Sequence, residues 1–294
     1  MSYCIVGGQL LKEESASIPI DDRGFRYGDS VFETIAVHAG VPYQYDLHIT
    51  RLTAGLQALK IIFDTDRLKS QCQKLLKENS IQQGILRIQV SRGVGSTGYL
   101  PNPKDPRAGA NHVIQTTPMP TTPQQPISLC QPISLWMSSY QKISSASLPV
   151  QHKLGQGLNS VLARMEAAEY KCAEGLLCNQ QQELCEASSG NLFWFKNGIL
   201  YTPSLACGVL DGSTRHAVIR LSPYPVEEIR TQIETLRTAE AVFITNVVWK
   251  TLPIGFLRPE DWSWNSQPVA EQFHQLIQSD REAYSKQYIN EWAI

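Results

Sequence analysis

Four segments carry side chains whose types and spacing could do chemistry. Lys153 lies in LPVQHKLGQGLNS, a stretch of low charge density just before a run with helical periodicity. A lysine held in a partly desolvated pocket loses basicity and can act as a nucleophile or form a Schiff base. Alone it reads more simply as one solvated surface lysine. Glu186 lies in ELCEASSGNLFWF, among small residues and ahead of the apolar run Leu192-Phe193-Trp194-Phe195. A carboxylate there can neutralise a buried cation, although a solvated strand-end acid would look the same. In CGVLDGSTRHAVIR, residues 207–220, Gly208 and Gly212 flank a helix start, and Asp211, Ser213 and Thr214 are candidate caps. Backbone N–H groups and hydroxyls at a helix N-terminus bind phosphate without a Walker loop. The same residues also suit a capped helix with no ligand. Arg51, in HITRL, is either a surface residue or a bidentate phosphate ligand.

Periodicity indicates the elements that must position these groups. Residues 46–61 place Leu47, Leu52, Leu56, Leu59 and Ile61 at roughly helical spacing, and a second amphipathic stretch covers 66–78. GILRIQVSRG alternates like a half-buried strand, and 111–115 is another short strand. Four prolines in TTPMPTTPQQP, residues 116–126, exclude a helix or a central strand. The expected division is therefore a smaller N-terminal α/β domain over 1–117, a Pro-rich linker over 118–126 and a larger domain over 127–294. In the second half, 155–171 reads as a helix with Leu158, Val161, Leu162, Met165 and Ala168 on one face. Strands follow near 174–178, 183–187, 191–196 and 199–202, then a helix from about Asp211. A buried strand is expected over 239–246 and a terminal helix over 268–288. Strands interleaved with helices in both halves predict a mixed α and β architecture.

Composition narrows the class. The 294 residues are 42% hydrophobic and 18% charged, ordinary for a globular enzyme, and suffice for one large domain or two medium ones. A formal net charge of −1 gives no bulk attraction to nucleic acid or anionic membrane. No apolar run reaches the roughly 18 residues of a membrane span, and the start lacks the basic and apolar regions of a signal peptide. The expectation is a cytoplasmic protein with a small-molecule substrate. Seven cysteines, an odd number without a C-x-x-C pair, argue against a disulfide framework or structural zinc, and no metal is expected.

Taken in order, the segments resemble the fold-type IV (class IV) pyridoxal 5′-phosphate (PLP) aminotransferases and lyases. The residues that carry the resemblance are DDRGFRYGDSVFETI, HITRL, the lysine before a helix ending in LAR-x-EA, EASSGNLF, YTP, G-V-L-x-G-x-T-R and ITNVVWKTLPI. The resemblance implies a two-domain fold whose larger C-terminal domain holds a barrel-like sheet, and a homodimer. It implies that Lys153 forms the Schiff base and moves protons, that Glu186 holds the pyridine nitrogen protonated, and that Arg51 meets the cofactor phosphate. Leu210, Gly212, Ser213 and Thr214 match the helix-start positions at that phosphate, and Thr245 and Asn246 match a second phosphate-contacting turn.

Within the family the chain is most similar to the 4-amino-4-deoxychorismate lyases. Thr34 falls where they carry a threonine near the reacting carbons, and SRGVGSTGY, residues 91–99, resembles their S-R-G-x-G-x-R-G-Y segment. The arginine expected before Gly98-Tyr99 is Thr97 here, and a threonine cannot replace a bidentate guanidinium. Arg26, Arg92 and Arg107 are the candidates to meet a substrate carboxylate instead, with Tyr27 and Tyr99 as further substrate-facing residues. Loop 95–108 is a candidate cover over substrate. The implied reaction is β-elimination giving pyruvate and 4-aminobenzoate; the alternative is a class IV transaminase for branched-chain or D-amino acids.

Overall fold

Alternation over residues 83–90 places Leu86, Ile88 and Val90 on one face of a strand, all fully buried, and Arg87 and Gln89 on the other. This strand is central to the first of two sheets. A computed structural model describes residues 2–119 and 131–292. The first sheet comprises β1 (Tyr3–Val6), β2 (Gln9–Lys12), β3 (Ser30–His38), β4 (Val41–Pro42), β5 (Gln83–Val94) and β6 (Gly109–Pro118). Its order is β2-β1-β6-β5-β3-β4, with every neighbour antiparallel. Pro118 closes β6 opposite Gly84, so the expected linker begins inside a strand. An end position needs no further N–H donor, which is where a sheet tolerates proline. The rest of that linker, from residue 120, lies outside the described residues.

Short helix α1 (Arg23–Tyr27) is capped by Asp22, whose carboxylate accepts from Gly24 N at 2.8 Å. Helix α2 (Tyr45–Ala58) buries Leu52 and Leu56, while Leu47 is exposed. Helix α3 (Leu68–Glu78) buries Leu68, Cys72, Leu75 and Leu76, an i, i+4, i+7, i+8 stripe.

The second sheet comprises β7 (Ile133–Met137), β8 (Glu174–Cys178), β9 (Leu184–Ala187), β10 (Gly190–Lys196), β11 (Ile199–Pro203), β12 (Val226–Ile229), β13 (Ala241–Asn246), β14 (Lys250–Arg258) and β15 (Trp262–Ser263). Strands β10, β13, β14, β7, β8 and β9 pair in sequence, and β9 pairs back with β10. That return pairing closes six strands into the expected barrel-like sheet, with β11 and β12 continuing outward from β10 and β15 from β14. Its interior is apolar, with Leu135, Leu176, Leu184, Leu192, Trp194, Val242, Ile244 and Ile254 among the buried residues.

Around the second sheet stand α4 (Leu158–Glu169), α5 (Ser213–Leu221) and α6 (Gln267–Trp292). The apolar face read on α4 is largely exposed. Leu158, Val161 and Met165 are more than half exposed, and the buried residues are Ala163 and Ala167. Small residues let the helix approach the strands closely: a Cβ on Gly175 of β8 would stand 2.6 Å from Ala163 O.

The chain forms two compact units. One gathers the segment through β6, residues His152–Gln156 and the end of α6 from Arg281. The other runs from β7 to Asp280 without that insert. Lys153 therefore packs with the N-terminal sheet. Six described cysteines are free and buried. Among the described residues no helix is long and apolar enough to cross a membrane.

Candidate active site

In the first unit, residues 152–156 lie along β3. Phe32 N donates to Lys153 O at 3.0 Å, Gly155 N donates to Ser30 O at 2.7 Å, and Val31 bridges to Leu154. Only glycine fits at 155, because a Cβ there would stand 1.9 Å from Ser30 Oγ. This clamp sets Lys153, whose Nζ lies 4.5 Å from the centre of the Phe32 ring. Thr34 is on the same strand face as Phe32, two residues on.

Behind that face is a buried charge cluster. Glu33, fully buried, accepts from Arg51 Nε at 2.7 Å and Nη2 at 2.5 Å, and from His48 Nδ1 at 2.6 Å. Burial alone would raise the Glu33 carboxyl, but the hydrogen bonds and charges of Arg51 and His48 outweigh it and hold it at about 2. Burial also depresses His48, assisted by the positive charges of Arg51 and Lys153 and opposed by Glu33. The structure thus places Arg51 in a forked pair with Glu33, a partner that its helix position gave no reason to expect.

The candidate substrate arginines have other partners. Arg26 donates to Ile20 O and Asp21. Arg92 forks onto Asp29 and reaches Leu59 O and Lys60 O. Arg107 pairs with Asp105 and Asp21. Arg87, which sequence reasoning passed over, makes no hydrogen bond or ion pair among the described residues. It stands opposite Thr34 across the β3–β5 ladder, with its guanidinium 4.2 Å from the centre of the Phe32 ring that also meets Lys153. Burial lowers its pKa. The signal available in the sequence was the period-2 pattern of 83–90, which sets Arg87 and Gln89 opposite the buried leucine and isoleucine. A cavity of about 560 Å³, lined in part by Gln89, Val113 and Gln115, opens on this sheet face.

Loop 95–108 begins pinned. Arg23, buried to 3% exposure, donates to Ser96 O, Gly98 O and Tyr99 O, and Gly98 N donates to Tyr27 Oη at 3.0 Å. The rings of Tyr27 and Tyr99 are 5.7 Å apart, and Tyr99 is largely exposed.

In the second unit, Glu186 ends on β9 with three donors: Lys142 Nζ, Asn191 Nδ2 at 2.9 Å and Leu210 N at 3.0 Å. Leu210, expected at the phosphate, thus directs its N–H to this carboxylate. Helix α5 begins at Ser213 with Gly212 as its N-cap and no side-chain capping bond, so the expected capping by Asp211, Ser213 or Thr214 is corrected. Ser213 and Thr214 are buried, and their hydroxyls make no hydrogen bond among the described residues. Thr245 Oγ1 is also buried without a partner. A buried hydroxyl without a partner, as at Thr245, is costly unless a polar ligand meets it, and together with the Ser213 and Thr214 hydroxyls at the start of α5 it makes a donor set that phosphate fits. Asn246 is different: its Oδ1 accepts from Val248 N and Trp249 N, and its Nδ2 donates to Ser189 O. Its side chain builds the turn.

Known proteins share this geometry and sequence. The family model described as amino-transferase class IV matches residues 30–255. An aminodeoxychorismate lyase of Bacillus subtilis is 30% identical over 283 residues, covering 89% of this chain and 88% of that protein. A solved 4-amino-4-deoxychorismate lyase from Pseudomonas aeruginosa matches with TM-score 0.77 and 28% identity, over 95% of this chain and 98% of that one. A T.th. branched-chain amino acid aminotransferase, solved with pyridoxamine 5′-phosphate, matches with TM-score 0.87 and 22% identity, over 97% of each chain. Of the two solved structures, the transaminase has the more similar backbone and the lyase the more similar sequence. Identity at 22% speaks for the fold alone.

Proposed function

The chain belongs to the class IV aminotransferase family and uses PLP, and on that premise we propose that it is a 4-amino-4-deoxychorismate lyase. The observation that carries the reading is the 30% identity to the Bacillus subtilis lyase along most of both chains. Thr34 beside the Lys153–Phe32 contact supports it. When bound, PLP supplies an electron sink for charge left at the amine-bearing carbon of the substrate.

The protein's own residues do the rest. We assign the covalent link to Lys153, which hydrogen bonds from β3 hold in place. Once released, the Lys153 amine takes the proton from the amine-bearing carbon. The bond from the neighbouring carbon to the enolpyruvyl oxygen breaks, the ring becomes aromatic, and 4-aminobenzoate forms. A proton from Lys153, or passed through the Thr34 hydroxyl, converts the departing enolpyruvate to pyruvate. Glu186 would face the pyridine nitrogen, and Ser213, Thr214, Thr245 and Arg51 the phosphate. Arg87, rather than Arg26, Arg92 or Arg107, takes the substrate carboxylate: it is a half-buried guanidinium without an acidic partner, beside Thr34 and Phe32. A homodimer accords with the exposed apolar stripe of α4.

The decisive experiment adds enzymatically made aminodeoxychorismate to the PLP-loaded protein and measures pyruvate and 4-aminobenzoate. Equal amounts of both establish the lyase. If neither appears, while branched-chain or D-amino donors convert the cofactor to its pyridoxamine form, the transaminase reading replaces it.

A further inference from the structure

Asn191 stands at the centre of the polar cluster in the second unit. On β10 it faces Glu186 of β9 on one side and Thr245 of β13 on the other. Its amide nitrogen donates to Glu186 Oε2 at 2.9 Å and to Leu210 O at 2.8 Å. Leu210 N donates to the same Oε2 at 3.0 Å. Carboxylate, amide and peptide group therefore form a closed triangle. On its other side, Asn191 Oδ1 lies 2.1 Å from where a Cβ on Gly212 would stand, so a side chain at the N-cap of α5 would displace the Asn191 amide. A second tie joins the same segments, because Cys185 Sγ donates to Cys207 O at 3.1 Å.

We propose that Asn191 is a positioning residue that locks Glu186 and the start of α5 into one cradle, so that the carboxylate for the pyridine nitrogen and the cup for the phosphate are set by one side chain. The proposal rests on the assignment of Glu186 and α5 to the cofactor. The chemistry selects an amide. Its two N–H donors meet two acceptors, Glu186 Oε2 and Leu210 O, and its oxygen faces the glycine cap. Aspartate has the same shape but no donors, and it would turn oxygens toward both acceptors. Replacement by aspartate therefore separates the hydrogen bonds from the shape.

The test uses full-length Asn191→Asp and Asn191→Ala proteins. PLP affinity is read by tryptophan fluorescence quenching, and thermal unfolding is followed on the same cofactor-free samples. Loss of a hydrogen bond to a charged group predicts affinity weakened about tenfold or more in both variants, with aspartate no better than alanine. The thermal midpoint of the cofactor-free Asn191→Asp protein should fall, because its carboxylate faces that of Glu186, and affinities are compared well below that midpoint. Wild-type affinity in Asn191→Asp would show that shape alone matters and would overturn the proposal. If Asn191→Asp fails to fold, Asn191→Ser decides by the same affinity criterion. Glu186→Gln is measured alongside. Unchanged PLP affinity there would fault the assignment of Glu186 itself and remove the proposal with it, whereas a loss there beside an unaffected Asn191→Asp would fault only the role of Asn191.

Discussion

Arg87 and Lys153 share one aromatic ring, which places a guanidinium and the proposed Schiff-base amine on the same strand face. A charge-assisted hydrogen bond is worth roughly 1.5–3 kcal/mol, or about ten- to a hundredfold in affinity. Arg87→Ala should therefore raise KM for the carboxylate substrate by about that factor and leave the visible absorbance of the PLP-loaded protein unchanged. Arg87→Lys should recover part of the loss, since the charge remains and the fork does not. An unchanged KM in Arg87→Ala would remove Arg87 from substrate recognition. Lys153→Ala should abolish both turnover and that absorbance, and persistence of both would refute the assignment of Lys153. The residues singled out from sequence were those in unusual local company. Arg87 and Asn191 were missed because each sits in an ordinary strand pattern, and only cross-strand neighbours reveal what they face.

Among the elements, the 152–156 segment is held to β3 by backbone bonds that tolerate no side chain at 155. Gly155→Ala should push this segment off Ser30 and misplace Lys153. The expected result is a marked loss of kcat with the protein still folded, to be checked by steady-state kinetics and circular dichroism. Wild-type kcat would mean the segment accommodates a Cβ by shifting without consequence. Helix α4 poses the opposite case. Its apolar residues share one face, yet Leu158, Val161 and Met165 are exposed while alanines make the contact. The proposed homodimer would cover this exposed apolar stripe. Light scattering should show a dimer, and Val161→Glu with Met165→Glu should shift it toward monomer. A monomeric wild type would dismiss the homodimer.

For the molecule as a whole, the Glu33 cluster links folding to pH. The Glu33 carboxyl is at about 2 in the folded state against 4.5 for an unperturbed one. A depressed carboxylate contributes its full stability above the unfolded value and loses it as pH falls toward the folded value. His48, also depressed, acts in the same direction, because the unfolded chain takes up its proton first. Thermal stability should therefore fall as pH drops from about 4.5 to about 2, and Glu33→Gln should flatten that decline. The same substitution at neutral pH should cost about 3–5 kcal/mol, because it removes the buried carboxylate that pairs with Arg51 and His48. A wild-type stability that stays level across the acid range would contradict the assignment.

Local order determined much of this protein by itself. Period-2 and helical patterns depend on neighbours in the chain, so β5, β8 and α3 were legible, as were the family and its cofactor through motifs that lie in one stretch each. The tertiary structure decided what no linear pattern carries: the return of β9 to β10 that closes the barrel, the packing of Lys153 with the N-terminal sheet, and the exposure of α4. It also decided which of Arg26, Arg87, Arg92 and Arg107 lacks an acid among the described residues. Arg26, Arg92 and Arg107 find Asp21, Asp29 and Asp105 nearby, whereas Arg87 faces Thr34 and Phe32 across a ladder. Charge pairing is a property of distance in space, and sequence separation does not report it.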